Sequence, residues 1–211
     1  MFKFKIMFSI FFLQSMAHAQ AVDSPNFNSI KSTTTWIKWI EKTKVDLDKS
    51  NLKSETKKHL DNITFNKRVI ELDRKQPEFR MNFKEYLQKV VPKSRVSLGK
   101  KKFKENKDLL LKIKKAYNIS PYLILSLWGI ETSYGSHTGG FDILNSLATL
   151  AYDGRRSDFF YKEFKYSLEI IDKGYINREN LRGSWAGAIG QTQFMPSTFI
   201  SFAQDFDKDG K

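Results

Sequence analysis

The chain has 211 residues, 40% of them apolar, which is enough for a domain with a hydrophobic core and excludes wholesale disorder. It contains no cysteine, so a disulfide framework and cysteine-based zinc sites are excluded. The formal net charge of +13 predicts attraction to polyanions such as cell-wall polymers.

The first 19 residues have the organisation of a cleaved secretory signal. Lys3 and Lys5 precede a short apolar run, and residues 17–19 match the small-x-small pattern of a cleavage site. The alternative is a membrane anchor, but the apolar run is too short to cross a bilayer. We therefore expect a signal peptide over residues 1–19, secretion, and no stable membrane anchor.

The rest of the chain shows apolar residues at helical spacing and no strand alternation of useful length. We therefore expect a mainly α architecture. The predicted helices are, in chain order, a segment with apolar positions from Trp36 to Leu47 and then residues 51–60, 83–91, 100–115, 122–130, 144–151, 159–171 and 196–202. Residues 100–115 hold eight lysines, which predicts a solvated helix face rather than an interaction patch.

The helix over residues 122–130 is apolar nearly all round, which predicts that it is buried. Ser120 and Pro121 provide a hydroxyl N-cap followed by proline at the first helical position. Gly135 is placed to end the helix.

Glu131 follows this apolar helix and is the candidate general acid. Partial burial and the negative end of the helix dipole both disfavour the carboxylate anion, so we expect its pKa to be raised. An acid that stays protonated near neutral pH can donate a proton to a leaving oxygen. The alternative is a glutamate that turns to solvent and caps the helix end, and position alone favours that alternative.

Residues 183–199 form a glycine-punctuated segment rich in amides, hydroxyls and aromatic rings. The glycines permit close backbone approach, and the side chains offer the hydrogen bonds and flat apolar faces that sugar binding needs. The alternative is a tight structural loop with core aromatics. The polar and aromatic side chains are Ser184, Trp185, Gln191, Thr192, Gln193 and Phe194.

The residue spacing and the small number of histidines argue against other kinds of site. Ser184 directly follows a glycine, so the segment is not a G-x-S-x-G nucleophile elbow, and its glycines do not form a phosphate-binding loop. Only His59 and His137 lie beyond the predicted signal, which argues against a histidine-based metal site or triad.

Both segments resemble the B-type lytic murein transglycosylases. Glu131-Thr-Ser-Tyr-Gly135 is similar to that family's catalytic helix end, and residues 183–197 are similar to its second signature almost position for position. Residues 72–79 and 147–156 also fit. The resemblance implies a lysozyme-like transglycosylase fold.

The resemblance extends over residues 65–211, which we expect to form the catalytic domain, preceded by an N-terminal helical extension over residues 20–64. Relatives continue beyond the position of Lys211, so we expect this domain to be incomplete at its C-terminal side. The implied location is the periplasm.

The activity implied is non-hydrolytic cleavage of the β-1,4 bond from N-acetylmuramic acid to N-acetylglucosamine in peptidoglycan, with formation of a 1,6-anhydro ring. Glu131 would act as the sole acid and base. The implied partner is the peptidoglycan glycan strand, and no recognised module indicates nucleic-acid binding.

The resemblance also assigns substrate-binding residues. Ser184 and Gln193 would contact acetamido or hydroxyl groups, and Tyr134 and Phe194 would line the site. Arg155 and Arg156 would hold lactyl or peptide carboxylates. The alternative for the two arginines is surface solubility.

The last residues resemble the first half of a calcium loop. Asp205, Asp207 and Asp209 take the first, third and fifth positions, followed by Gly210. The ninth and closing ligands have no counterpart before Lys211, so we expect weak calcium binding at most and no required cofactor.

Two alternative functions remain open from the sequence. A hydrolysing muramidase would need a second carboxylate near Glu131, for which Asp142 and Asp153 are the candidates. The other alternative is an inactive, basic glycan-binding remnant.

Overall fold

A computed structural model of the protein describes residues 33–75, 82–206 and 208. The predicted signal peptide and part of the segment at 72–79 lie outside the described residues. The prediction of a mainly α architecture is confirmed. The helices are α1 (Thr33–Asp48), α2 (Ser54–Lys58), a 3-10 helix (His59–Asn62), α3 (Lys67–Arg74), α4 (Phe83–Val90), α5 (Lys93–Glu105), α6 (Lys107–Tyr117), α7 (Pro121–Thr132), α8 (Ile143–Asp153), α9 (Ser157–Asp172) and α10 (Pro196–Phe202).

Two short strands, β1 (Phe141–Asp142) and β2 (Arg182–Gly183), pair antiparallel with Phe141 opposite Gly183. Isolated bridges then join Gly183 to Ile189 and Ile189 to Phe194. Strands of two residues leave no alternation to detect in a sequence. This small sheet joins the loop after α7 to the glycine-rich segment.

The hydrophobic core is centred on α8 and α9. Nearly every residue of α8 is buried, and α9 buries one face that includes Phe160, Phe164 and Leu168. Large apolar residues at helical spacing on both helices account for this packing. These two helices therefore support the loops of residues 133–140 and 184–195.

Helix α1 shares this core. Trp36, Ile40 and Leu47 are buried and follow one helical face. The ring of Trp36 lies edge-on to that of Tyr152 in α8, with centroids 5.1 Å apart, and Phe65 packs at 5.4 Å from Trp36. Such edge-to-face pairs add about 0.5–1.5 kcal/mol each beyond area burial. The domain boundary at residue 65 stays a prediction.

The prediction of one lysine-rich helix over residues 100–115 is wrong in its bounds. The structure has two helices, α5 and α6, separated at Asn106. The Asn106 side chain and its backbone N–H both donate to the Lys102 carbonyl, at 2.9 and 3.1 Å, and the Asn106 backbone leaves helical geometry with φ −115°. Helix α5 also begins directly after Pro92, which the apolar spacing did not indicate.

The prediction that residues 122–130 are buried all round is also wrong. Helix α7 buries Leu125 and Gly129, whereas Tyr122 is 69% exposed and Ile130 is 47% exposed. Among the described helices, α5 and α6 pack against α7, and their packing leaves Tyr122 and Ile130 exposed. Within residues 33–75 and 82–206, no helix combines the length and apolar character needed to cross a membrane.

Candidate active site

Glu131 lies in the last turn of α7 and is exposed. Partial desolvation by the surrounding protein raises the pKa of its carboxyl above the ordinary value, which is the predicted direction. No ion pair or hydrogen bond in the described part of the chain engages this carboxylate. Glu131 is therefore an acid with a raised proton affinity that is open to an incoming molecule.

Two left-handed residues end α7. Ser133 has φ 50° and Tyr134 has φ 59°, so the helix ends before Gly135, which the sequence had favoured as the terminator. A left-handed backbone is costly for residues with a side chain and persists only where surrounding contacts hold it. Here Arg95 of α5 donates to the Ser133 hydroxyl at 3.1 Å.

Gln191 holds the end of α7 against the glycine-rich segment. Its side-chain carbonyl accepts from the Trp128 indole N–H at 2.7 Å, and its backbone carbonyl accepts from the Thr132 hydroxyl at 2.7 Å. The Thr132 hydroxyl oxygen in turn accepts from the Gly135 N–H at 3.0 Å. The two sequence segments singled out as candidate chemistry therefore meet directly, with Glu131 between Trp128 and Thr132 along the helix.

The sequence did not assign a role to Thr132, and it treated Gln191 only as one of several polar groups. Thr132 is nearly fully buried, whereas Gln191 is exposed and contacts α7 through its two carbonyl oxygens. The sequence feature that could have indicated Thr132 is its hydroxyl in the last turn of a helix, directly after the candidate acid. Together Thr132 and Gln191 join the last turn of α7, which carries Glu131, to the glycine-rich segment.

Tyr134 lies between two helices. Its hydroxyl donates to the Arg95 carbonyl at 3.3 Å, and its ring is edge-on to Trp128 at 5.5 Å. A Cβ at Gly129 would lie 2.6 Å from the Tyr134 hydroxyl, so glycine is needed where the ring crosses α7. The tyrosine thus supports the helix end, and the substrate contact assigned to it stays a prediction.

Ser184 closes a tight turn. Its N–H donates to the Ala188 carbonyl at 2.8 Å, and its hydroxyl oxygen accepts from the Ala188 N–H at 3.0 Å. The turn passes over α8 at Gly187, which has φ 98° and would clash with Leu147 if it carried a Cβ. These contacts fix the Ser184 oxygen and leave its O–H free to donate.

Gln193 is held in a left-handed conformation, with φ 51°. Its side-chain amide N–H groups donate to the Thr138 carbonyl at 3.1 Å and the Gly190 carbonyl at 3.0 Å. The side-chain carbonyl is then aimed away from these partners and can accept from an N–H or O–H. Phe194 is half-buried, and its backbone pairs with Ile189.

Arg155 and Arg156 form a separate cluster. Both pair with Asp73 of α3, Arg156 at 3.1 Å and Arg155 at 3.6 Å, and Asp73 is only 2% exposed. The Arg156 guanidinium also stacks over the Phe160 ring at 4.9 Å. None of the contacts in the described ranges joins this cluster to Glu131. The arginines neutralise a buried carboxylate, and their role in holding substrate carboxylates stays a prediction.

The two candidate second carboxylates are engaged elsewhere. Asp142 accepts from Arg178 at 2.6 Å and caps α8 through the Asn145 N–H at 2.9 Å. Asp153 pairs with Arg74 at 2.6 Å. Both residues therefore have structural partners, which makes them poor candidates for a nucleophile or base beside Glu131.

The predicted calcium loop lies largely outside the described residues, since Asp207 and Asp209 are not among them. Asp205 is described and exposed. The described residues contain no cluster of three acidic or histidine side chains suited to a metal ion. Weak calcium binding stays a prediction.

Comparison with known proteins agrees with the family that the two sequence segments resemble. The model of the family described as Transglycosylase SLT domain matches residues 35–211. Membrane-bound lytic murein transglycosylase B of Escherichia coli (strain K12) is 34% identical over 126 residues, covering 59% of this chain and 35% of that protein.

Among solved structures, SltB3 from Pseudomonas aeruginosa in complex with NAG-NAM-pentapeptide has a TM-score of 0.79 and 33% identity, covering 83% of this chain and 47% of that one. The same protein was also solved with NAG-anhNAM-pentapeptide. Escherichia coli Slt35 in complex with calcium has a TM-score of 0.70 and 29% identity, covering 83% of this chain and 55% of that one. The chain thus spans about a third to a half of the length of these relatives.

Proposed function

Since the chain belongs to the transglycosylase SLT domain family, we propose that it is a lytic transglycosylase that cleaves peptidoglycan between N-acetylmuramic acid and N-acetylglucosamine. The family recognised from the two sequence segments is confirmed, as is the lysozyme-like helical fold. The substrate is the glycan strand, a polymer whose carboxylates suit a protein of net charge +13.

The observation that carries this proposal is that, of the three candidate carboxylates, Glu131 is the one without a partner among the described residues. Glu131 has a raised pKa caused by partial desolvation, and the two other candidate carboxylates, Asp142 and Asp153, are paired with arginines. An ordinary glycosidase needs two carboxylates because water or an enzyme nucleophile must attack the sugar. A reaction with one carboxylate needs a nucleophile that the substrate itself provides.

In the proposed reaction, the protonated Glu131 first donates its proton to the glycosidic oxygen as the bond to the leaving sugar breaks. The resulting carboxylate then accepts the proton from the C6 hydroxyl of the same muramyl residue. That hydroxyl attacks the anomeric carbon and closes the 1,6-anhydro ring, which returns the proton to Glu131. The intramolecular attack supplies the proximity that a second catalytic group would otherwise provide.

Ser184 and Gln193 would orient the sugar beside Glu131. The Ser184 O–H and the Gln193 side-chain carbonyl supply one donor and one acceptor, which is the pair that an acetamido group requires. Support for the product class comes from SltB3, which was solved with both NAG-NAM-pentapeptide and NAG-anhNAM-pentapeptide.

We further propose that the protein acts in the periplasm, where this substrate lies, and that no cofactor takes part in the reaction. The calcium in Escherichia coli Slt35 belongs to that protein's structure. The first 19 residues of this chain fit the signal that such a location requires.

Mass spectrometry of the soluble products released from purified peptidoglycan tests the proposal. We expect anhydromuropeptides from the wild type and none from Glu131→Gln. Glu179→Gln, which changes an exposed glutamate in the turn before β2, is the matched control and should release products like the wild type.

Products with reducing muramic acid ends would show a hydrolase and contradict the single-acid mechanism. Sacculus binding without any release, by folded wild type and Glu131→Gln alike, would favour a glycan-binding remnant instead.

A further inference from the structure

A groove of about 690 Å³ lies between the turn that follows α1 and one face of α9. Leu47 and Leu52 provide apolar surface, and residues one helical turn apart on α9 form the opposite wall. The groove shares no lining residue with the cluster around Glu131, Gln191 and Gln193. Its volume falls within the range of small-molecule sites, which is roughly 300–1,000 Å³.

Two tyrosines of α9, Tyr161 and Tyr166, line this groove. Tyr161 donates its hydroxyl hydrogen to Asp46 at 2.7 Å, and its ring packs edge-on to Trp39 at 6.2 Å. Burial and the neighbouring Asp46 raise the pKa of Tyr161, so this phenol stays neutral and keeps donating. Tyr166 lies five residues further along α9, also lines the groove and is half-buried.

Two lysines beside these rings have no acidic partner among residues 33–75 and 82–206. The Lys165 ammonium lies over the Tyr161 ring at 5.1 Å, and that of Lys162 lies 6.0 Å from the Tyr166 ring centroid. Because the rings hold these ammonium groups at the groove, less conformational freedom is lost when they bind an anion.

Most acidic residues of the groove already have hydrogen-bond or ion-pair partners within the protein. Asp172 accepts from the Lys53 N–H and the Thr56 hydroxyl, each at 2.7 Å, and Glu169 pairs with Lys173 at 2.7 Å. Asp158, in the first turn of α9, leaves an acceptor for a hydroxyl or amide hydrogen. The groove therefore offers two cations, flat apolar rings and one acceptor.

We propose that this groove is a second binding site for the peptidoglycan strand, which takes a muramyl residue with its lactyl or peptide carboxylate. The sugar lies against the Tyr166 ring, and the carboxylate lies between Lys162 and Lys165, with Lys165 held by the Tyr161 ring. This inference rests on the proposed function, because the ligand is the polymer that Glu131 is proposed to cut. A second contact on the same polymer raises the effective concentration of strands at the catalytic site.

The test uses reduced GlcNAc–MurNAc-tripeptide as the probe and Glu131→Gln as the background, so that nothing is cleaved. We expect the probe to shift backbone NMR signals of Lys162, Lys165 and Tyr166. Lys162→Gln/Lys165→Gln should weaken this binding about five- to tenfold, the effect of losing two charge-assisted contacts. Lys104→Gln/Lys112→Gln, which removes two exposed lysines elsewhere, is the charge-matched control and should change it less than twofold.

Tyr166→Leu gives an independent variant that keeps both lysines and should also weaken binding at the groove. Perturbations confined to residues 184–194 would overturn the second site, as would equal losses in the two lysine double variants. Equal binding of neutral chitotetraose in the groove would overturn the role of the carboxylate and with it the proposal.

Cleavage of sacculi by the wild type is scored separately by anhydromuropeptide release. Release without groove binding refutes the second site alone. Groove binding without release refutes the proposed function alone.

Discussion

Glu131 at the end of α7 and Glu163 in the middle of α9 occupy opposite environments. Glu163 is only 3% exposed, and its two oxygens accept from the Ser197 N–H at 2.9 Å and the Ser197 hydroxyl at 2.6 Å. Glu131 is exposed, has no such partner in the described structure, and has a raised pKa because of partial desolvation. The two glutamates therefore differ in both burial and partners: Glu163 is satisfied within the core, whereas the Glu131 carboxylate is left available.

The surroundings of the two glutamates differ in the same way. Helix α9 packs against α8 and α10, so Glu163 ties two elements of the core together. The last turn of α7 is held from one side by Gln191, Thr132 and Tyr134 and is open on the other. Glu163 is thus fixed within the core, whereas Glu131 lies at a helix end that neighbouring residues hold from one side.

The largest expected effect is loss of activity in Glu131→Gln. The amide keeps the shape of the side chain but can neither give nor take the proton, so we expect the rate to fall about 10²- to 10⁴-fold. The measurement is the initial rate of anhydromuropeptide release, with circular dichroism to confirm the fold. A variant that keeps a tenth of the wild-type rate would remove Glu131 from the mechanism.

The region of Glu131 depends on a close backbone approach between the loop after α7 and β2, which Gly139→Ala should disrupt. Gly139 has φ 90°, and a Cβ there would sit against the Gly183 carbonyl oxygen. We expect the variant to lose about 2–4 kcal/mol of unfolding free energy in urea titrations.

Gly140→Ala is the matched control, since a Cβ at Gly140 meets nothing within 4 Å. We expect it to unfold at the wild-type urea concentration. Equal destabilisation of the two neighbouring variants would show that the contact with β2 does not hold the loop.

In the core region, Glu163→Gln should destabilise the protein by about 1.5–3 kcal/mol, the range for a hydrogen bond to a charged group. The amide nitrogen would face the Ser197 donors in place of a carboxylate oxygen. Thermal denaturation at neutral pH measures the loss. A variant as stable as the wild type would mean that Glu163 contributes no net stability, and the contrast with Glu131 would fail.

The sequence predicted the parts of this comparison that depend on local pattern. Residues 196–202 were predicted as a helix with the observed bounds, because Pro196 supplies a start signal that acts locally. Glu131 was singled out because it follows an apolar helix, and Ser184 and Gln193 because they lie in a segment that resembles a family signature.

Long-range partners could not be predicted in this way. The Arg156–Asp73 pair joins residues 83 positions apart, and Glu163 and Ser197 are 34 apart, so no local spacing indicates either contact. For the same reason, the apolar character of α7 could not reveal which of its sides other helices would cover. The partners of a carboxylate, and hence its availability, come from tertiary structure.

A smaller effect is expected for Gln191→Leu, which removes the acceptor of the Trp128 indole N–H while keeping the side-chain volume. Loss of one hydrogen bond of about 1 kcal/mol corresponds to roughly a fivefold lower kcat, because Glu131 is held less firmly. KM should change less than kcat, since Gln191 is not proposed to touch the sugar. Thr192→Val, on the exposed neighbour, is the control, and an equal loss of kcat there would contradict the positioning role.

The smallest expected effect is a pH-dependent gain of stability in Glu131→Gln. Because the pKa of Glu131 is raised in the folded state, the folded wild type binds the proton more tightly than the unfolded chain does. Stability of the wild type therefore falls as pH rises from the unfolded pKa through the raised folded pKa, whereas the amide has no proton to lose. The same deprotonation removes the acid that the reaction needs, so activity should decline over the same pH window.

Thermal melts of wild type and Glu131→Gln across this window measure the difference, which should be small because the side chain is exposed. We expect the two proteins to coincide at low pH, where both side chains are neutral, and the variant to melt at the higher temperature once the wild-type carboxylate is ionised. Coincidence at every pH would show that desolvation does not set the proton affinity of Glu131. The raised pKa would then no longer distinguish Glu131 from the other carboxylates, and the single-acid mechanism would depend on position alone.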